Sequence, residues 1–306
     1  QDNVNRFLDD NSPLDRVRNY ADGGEDSDIW AGLAELGIPA LLIPEAQGGI
    51  GLQPMDAAIV AECLGSHIAP TPFLGSAVMA PTALVASGGD HGELLAEIAA
   101  GTTRVGIAFG EAIKRRNDAG VTVKDGRMSG TSMYAFDAQA DVYLVADQHQ
   151  HIYLVRANDP GLKRSNLVTV DKTRRTVELN YDNVAAATIS TEASVFATTV
   201  DIGRVALAAD TLGAAQNMLD QAVEYAKQRE QFNRPIGSFQ AVKHMCAEMA
   251  AELEPCRSMV WFAGHALAEL PEEARVTACH TKAHLAEVGQ FVAKTSTEVH
   301  GGMGFT

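Results

Sequence analysis

The chain has 306 residues, 46% of them hydrophobic and 21% charged, which is typical of a folded globular protein with more than one subdomain. Its formal net charge of −15, with no basic run, argues against a nucleic-acid partner. We find no apolar run of membrane length and no signal peptide, so we expect a cytoplasmic protein without a membrane span.

The cysteines and histidines do not have the spacing of a metal site or a disulfide framework. His280 and His284 lie one helical turn apart with no third ligand nearby, so we expect no bound metal. The four cysteines are interpreted as buried or half-buried thiols without a catalytic role: Cys63, Cys246, Cys256 and Cys279.

The first third of the chain is predicted to be helical. Between Asp28 and Gly101 apolar residues recur at helical spacing, for example at Ile29, Leu33 and Leu36, and Gly and Pro loops interrupt them. We assign residues 1–102 to an N-terminal helical domain.

The middle of the chain changes to short runs rich in β-branched residues. Asp125-Gly126 sits where a tight hairpin turn belongs. We assign residues 103–196 to a small β-barrel domain, with strand runs at 105–109, 121–123, 142–145, 152–155 and 176–179.

The last third returns to long amphipathic helices. One apolar stripe runs from Ile202 to Ala226 and another from Val242 to Val260, which favours a four-helix bundle over residues 197–306. Pro255 is expected to kink the second of these helices, and Pro271 to start the third.

The segment between these two stripes, residues 222–240, reads as a helix, a cationic and aromatic turn, and a second helix. The turn holds Arg229, Gln231 and Phe232, and Pro235 cannot continue a helix. A guanidinium suits phosphate oxygens, and an exposed aromatic ring can lie against a planar ring, so these residue types describe a dinucleotide surface. The alternative is a helical hairpin with one ion pair and a buried Phe.

The order of residues in this segment resembles the signature of the acyl-CoA dehydrogenase family. The pattern is Tyr-Ala-x-x-Arg-x-Gln-Phe-x-x-Pro-Ile-x-x-Phe-Gln, beginning at Tyr225. Residues 298–305 are similar to the family's Gln-x-x-Gly-Gly-x-Gly-Phe segment, and residues 30–52 to its helix-then-loop opening. The resemblance therefore covers nearly the whole chain.

The resemblance implies an α+β multidomain fold, with an N-terminal helical domain, a β-barrel and a helical bundle that mediates dimerisation. It also implies FAD as the cofactor. Glu298 stands where the family usually has Gln, and a carboxylate there would repel a diphosphate. The resemblance assigns FAD binding to eight residues: Arg229, Gln231, Phe232, Phe239, Gln240, Glu298, Gly301 and Gly302.

The family's flavin-binding segments are altered in this chain. Residues 108–112 read Ala-Phe-Gly-Glu-Ala and residues 134–138 read Tyr-Ala-Phe-Asp-Ala, so hydroxyl donors that the family offers to the flavin are lost. Asp141, followed by the run at 142–145, still matches the strand that comes next in the family. We therefore expect an intact β domain with a degraded flavin cradle.

The family's catalytic glutamate is absent from both of its usual positions. Gly203 stands at the position on the long helix, and the second position lies beyond Thr306. We identify no catalytic residue in this chain. Asp201 and Arg204 match positions that line the acyl-CoA pocket, although an acidic helix start and a solvated arginine are equally good readings.

These observations favour a subunit of a heteromeric acyl-CoA dehydrogenase, resembling actinobacterial α2β2 enzymes that oxidise CoA esters of steroid side chains. The expected partners are an acyl-CoA, a homologous subunit or a second copy of this chain, and an electron-transfer flavoprotein or similar acceptor. One alternative is a conventional homotetramer with its glutamate beyond Thr306, and another is a non-catalytic scaffold.

Overall fold

The computed structural model describes residues 1–24, 27–114, 116 and 119–305. The chain forms two compact units. The helical unit comprises Gln1–Asp10, Pro54–Ala69 and Arg204–Thr306, and the sheet unit comprises Asn11–Gln53 and Pro70–Gly203. Each compact unit combines segments that are distant in the sequence, so the two units do not coincide with the three domain ranges predicted from the sequence. Those three ranges remain a proposal.

Short helices make up the first third of the chain, as predicted. Two 3₁₀ turns, Ile38–Ala40 and Glu45–Gln47, separate the third helix from the fourth. A π-helical segment, Leu74–Met79, leads directly into the fifth helix. The six α-helices are α1 (Asp2–Asn11), α2 (Leu14–Ala21), α3 (Ser27–Glu35), α4 (Pro54–Ser66), α5 (Ala80–Ala86) and α6 (Gly92–Ala99).

An eight-stranded sheet follows, in the order β6-β7-β3-β1-β4-β5-β8 with β2 on β3. Only β1 and β4 pair in parallel; the other described pairs are antiparallel. A short helix α7 (Gly110–Ile113) follows the first strand. The strands are β1 (Val105–Ala108), β2 (Gly120–Lys124), β3 (Arg127–Phe136), β4 (Val142–Ala146), β5 (Ile152–Arg156), β6 (Leu162–Asn166), β7 (Thr176–Ala185) and β8 (Ala187–Ser190).

Both faces of the sheet are covered. Every residue of β4 is buried, and its side chains alternate between two separate apolar clusters, because neighbouring side chains of a strand point to opposite faces. Val142 and Leu144 join the cluster that contains helix residues such as Leu84, while Tyr143 and Val145 join the other.

The last third is helical, as predicted. It consists of α8 (Ala193–Gln228), a hairpin of β9 (Glu230–Gln231) and β10 (Arg234–Pro235), then α9 (Gln240–Glu269) and α10 (Pro271–His300). Pro271 opens α10, and α9 continues past Pro255. Within the helical unit α9 packs against both α4 and α10.

The buried positions of α10 recur at spacings of three and four, as expected for a helix with one face in a bundle. The order of helices, β-sheet and helical bundle confirms the fold class predicted from the sequence. No helix in the described residues has an apolar stretch long enough to cross a bilayer.

Candidate functional site

The turn after α8 is a tight two-stranded hairpin. The Arg229 amide still donates to the Tyr225 carbonyl at 2.8 Å, which closes the last helical turn. Gln231 then pairs with Arg234, and the two residues between them have positive φ, 54° for Phe232 and 60° for Asn233. Two positive φ values are what a type I′ hairpin turn requires.

A phenylalanine in this left-handed conformation is unusual, because its Cβ crowds the backbone at a cost of about 1–2 kcal/mol. The conformation projects the Phe232 ring outward, so that it is 86% exposed. Its ring meets that of Phe239 edge to face, with 6.0 Å between centroids. The strained turn therefore presents an aromatic surface to solvent, as a planar ligand would need.

The hairpin also holds a cation that the sequence analysis did not select. The Arg234 guanidinium carbon lies 4.0 Å from the centre of the Phe239 ring, within cation–π distance. The sequence does not distinguish Arg234 from other surface arginines, because the stacking of its guanidinium on the Phe239 ring depends on the geometry of the turn. Gln240 begins α9 directly after Phe239 and is exposed.

The glycine loop after α10 lies near this hairpin. The His300 ring stacks on the Tyr225 ring at 4.6 Å between centroids, which brings the end of α10 beside the end of α8. Gly301 has φ 60° and ψ −135°, a conformation that only glycine adopts readily. Apart from its own chain neighbours, no atom of the described residues lies within 4 Å of the place where a Cβ of Gly302 would stand.

The loop is thus open to a ligand, and its Gly-Gly pair leaves the backbone accessible. Glu298 is exposed in the last turn of α10, and its carbonyl accepts a hydrogen bond from the Gly301 amide. The Glu298 side chain is exposed to solvent. Solvent screening reduces the repulsion that its carboxylate, as expected from the sequence, would exert on a nearby phosphate.

The altered flavin cradle is engaged with the chain itself. Glu111 is buried, and its Oε1 accepts hydrogen bonds from the Arg116 guanidinium at 2.9 Å and from the Met133 amide at 3.1 Å. Arg116 also lies over the Tyr134 ring at 5.1 Å. The Oε1 atom of Glu111 therefore serves internal contacts, while its buried Oε2 has no hydrogen-bond partner among the described residues. Phe109 packs on another ring of the core.

A neighbouring side chain fills the space beside Gly203, where the family resemblance would place a base. A Cβ built on Gly203 would lie 2.9 Å from Sδ of Met79 and 3.3 Å from its Cε and Cγ. Met79 is 5% exposed and belongs to the apolar cluster of the sheet unit. The space that a longer side chain at 203 would need is occupied, a contact that the sequence does not reveal.

Asp201 and Arg204 stand on α8, near this position. Asp201 is 4% exposed, and Arg204 is partly exposed. Their assignment to an acyl-CoA pocket stays a prediction.

The cysteines are free thiols, two of them buried and two half-buried, as expected. Burial raises the pKa of Cys63 to about 11, so this thiol is protonated and unreactive at neutral pH. Among the described residues no group of three or more metal-binding side chains is found.

Comparisons with known proteins agree with this geometry. Residues 1–102 match the family described as "Acyl-CoA dehydrogenase, N-terminal domain", and residues 193–306 match "Acyl-CoA dehydrogenase, C-terminal domain". The acyl-CoA dehydrogenase IpdE2 of Mycobacterium tuberculosis is 31% identical over 292 residues, covering 95% of this chain and 80% of its own. FadE27 of the same organism is 30% identical, covering 91% and 79%.

Two solved structures of multi-chain enzymes are also similar. The ChsE4-ChsE5 complex from Mycobacterium tuberculosis has a chain with 26% identity and a TM-score of 0.88, covering 99% of this chain and 85% of its own. A variant of the Tcur3481-Tcur3483 steroid acyl-CoA dehydrogenase has 28% identity and a TM-score of 0.86, covering 98% and 85%.

Proposed function

Because this chain belongs to the acyl-CoA dehydrogenase family, we propose that it takes part in the α,β-desaturation of an acyl-CoA thioester as the base-lacking subunit of a heteromeric enzyme. Family membership makes the chain an oxidoreductase and confirms FAD as the cofactor expected from the sequence. FAD supplies the acceptor for the hydride that leaves the β carbon of the substrate.

The observation that carries the proposal is the contact of Gly203 with Met79. The reaction needs a carboxylate to remove the α proton, and Gly203 has no side chain to do so. Met79 fills the space beside Gly203, so this position is an apolar contact. A carboxylate at 203 would have to displace the Met79 side chain. The proton must then be removed by a residue that is not on this helix, and a homologous partner subunit would supply it.

The residues present fit the role of holding the ADP half of FAD. The hairpin offers the guanidinium of Arg229, the amide of Gln231 and the exposed ring of Phe232, and the loop at Gly301 and Gly302 is open to backbone approach. Charge-assisted donors of this kind bind and orient a diphosphate. Gln240 and Phe239 border the same turn, and Glu298 lies beside the loop.

For the substrate, we propose a bulky CoA ester such as that of a steroid side chain, with Asp201 and Arg204 at the acyl-CoA pocket. Support comes from the 28% identical structure that is named as a steroid acyl-CoA dehydrogenase. The further partners proposed are a homologous subunit in a heterotetramer and an electron-transfer flavoprotein or similar acceptor, in the cytoplasm.

Co-expression with the products of neighbouring genes tests the proposal. We expect the chain alone to show no acyl-CoA dehydrogenase turnover and the complex to contain FAD and be active. Glu→Gln at the partner's base should lower the rate by about 10²–10⁴, the usual contribution of a general base. As a matched change in this chain, Glu298→Gln should alter flavin retention and leave turnover per bound flavin unchanged.

Robust turnover by this chain alone, abolished by changing one of its own carboxylates, would contradict the heteromeric role and favour a conventional homotetramer. A complex without FAD would favour a scaffold.

A further inference from the structure

The hairpin between α8 and α9 has two distinct faces. Gln231 pairs with Arg234, and the Ile236 amide donates to the Arg229 carbonyl at 2.7 Å, so Arg229 stands opposite Ile236. Side chains alternate along each strand, and directly opposite residues share a face. Arg229, Gln231 and Arg234 therefore lie on one face of the hairpin.

The acidic residue of the hairpin lies on the other face. Glu230 directly follows Arg229 and pairs with Pro235, which directly follows Arg234. Its side chain therefore points to the opposite face from the two arginines. The face with the arginines thus concentrates two guanidinium groups and one amide, in a chain whose formal net charge is −15. Such a local excess of positive charge is a suitable surface for an anionic ligand.

Arg234 is held in place by an aromatic ring. Its guanidinium carbon lies 4.0 Å from the centre of the Phe239 ring, and among the described residues it has no carboxylate partner. Stacking leaves the N–H groups at the edge of the guanidinium plane available to donate, and it restricts a side chain that would otherwise sample many rotamers. An exposed arginine that is oriented by a ring, and that has no acidic partner in the described part of the chain, is available to bind an external anion.

We infer that Arg234 is a further ligand of the FAD diphosphate, which donates hydrogen bonds to phosphate oxygens from the same hairpin face as Arg229 and Gln231. The inference rests on the proposed function, in which this edge of the chain holds the ADP half of the cofactor. Phe239 is then a positioning residue, because its ring sets the orientation of the Arg234 fork.

The test is titration of the flavin-depleted complex with FAD, followed by flavin fluorescence at several salt concentrations. Arg234→Gln should raise the FAD dissociation constant at least about tenfold, as expected for the loss of a charge-assisted contact, and should make binding less sensitive to salt. Arg234→Lys keeps the charge without the planar fork and should give an intermediate value. Lys282→Gln, which removes one charge from the middle of α10, is the matched control and should leave the constant unchanged.

A double-mutant cycle tests the positioning role. Once Phe239→Leu has removed the ring, Arg234→Gln should have a smaller effect on FAD affinity than it has alone. Equal effects in both backgrounds would show that the ring does not orient Arg234.

Arg229→Ala, measured in parallel, separates this inference from the proposed function. If Arg229→Ala weakens FAD binding and Arg234→Gln matches the Lys282→Gln control, the inference about Arg234 is wrong and the ADP-binding edge stands. If neither substitution changes FAD affinity, the ADP-binding edge is wrong as well. Both arginines are exposed, so loss of folding does not confuse the result, and thermal unfolding of each variant checks this.

Discussion

At the scale of single residues, Gly203 is constrained by the Met79 side chain beside it. A helix-interior glycine normally costs about 1 kcal/mol relative to alanine, yet here any Cβ would meet the Met79 side chain. Close packing rather than flexibility therefore accounts for a glycine at this position.

This contact gives a direct prediction. Gly203→Glu should not create activity in the chain alone, because the carboxylate would have to displace Met79 from an apolar cluster. Overpacking of this kind costs about 1–3 kcal/mol, so the variant should unfold at lower temperature. Gly203→Glu combined with Met79→Ala should recover part of the loss in a thermal unfolding experiment. An active and fully stable single variant would show that the space is available.

The strained turn residue gives a second prediction. Phe232→Gly removes a left-handed cost of about 1–2 kcal/mol and adds about 0.5–1 kcal/mol of chain entropy, so the folded state should be at least as stable as before. The same variant should lose FAD, because the exposed ring is gone. Flavin content and thermal unfolding measure the two effects separately.

Asn233→Gly is the matched control for this experiment, since residue 233 has the same positive φ. It should keep both stability and flavin. Equal flavin content in the two variants would mean that the Phe232 ring has no part in binding.

At the scale of elements, the helical unit contains an ion pair between α4 and α9. Arg257 donates to Glu62, whose side chain is 9% exposed, and its other terminal nitrogen approaches Gln216 at 3.4 Å. A carboxylate buried to this extent depends on its partner, because removing the partner leaves an uncompensated charge.

We therefore expect Arg257→Met to lower the free energy of unfolding by about 3 kcal/mol. This is the lower end of the range for breaking buried ion pairs, because the Arg257 side chain is 27% exposed. Adding Glu62→Leu should restore most of that loss. Chemical denaturation of the two variants and the wild type measures the difference. A double variant no more stable than Arg257→Met would show that the hydrogen bonds of the pair, and not the unpaired charge, carry the effect.

Strand prediction succeeded where apolar residues were concentrated and failed where they were not. β1, β2, β4, β5 and β7 were found, as was the hairpin turn at Asp125-Gly126, where both φ values are positive. β3 was missed because Ser, Gly and Thr interrupt its pattern, although every third or fourth residue is buried. β6, with the sequence LKRSN, is a largely exposed edge strand whose polar side chains give no burial signal.

For the site, the sequence allows an assignment from local motifs but does not show which residues meet in space. The hairpin residues from Arg229 to Phe239 lie close in sequence, so their order alone indicated a ligand surface. Met79 and Gly203 are far apart in the chain, and Arg234 acquires its orientation from the turn. Sequence therefore drew attention to Gly203 without showing which side chain lies against it.

At the scale of the whole molecule, aromatic residues on the long helices remain uncovered. Trp261 is 44% exposed and Phe262 is 46% exposed on α9, and Val276 on α10 is 73% exposed. Large apolar side chains that remain exposed on long helices are candidates for a protein interface. We therefore expect the chain expressed alone to be colourless or poorly soluble, as measured by flavin absorbance and by the soluble yield.

Tryptophan fluorescence can test this directly, because the chain has two tryptophans and Trp30 is only 4% exposed. Association with a partner subunit should shift the emission to shorter wavelength by burying Trp261. The variant Trp261→Phe should still associate, as measured by native mass, without the shift. An unchanged spectrum on association of the wild-type chain would place the interface elsewhere.

The packing of Met79 against Gly203 also has an evolutionary consequence. A mutation to glutamate at 203 would meet the Met79 side chain, so it would lower stability before it could give any catalytic benefit. Change at 79 would have to come first, and by itself it leaves a cavity in the core. The two steps are each unfavourable alone, and selection therefore has no single-step route back. If the proposed role is correct, the Met79 contact would oppose regaining a base at 203 and would favour continued reliance on another subunit.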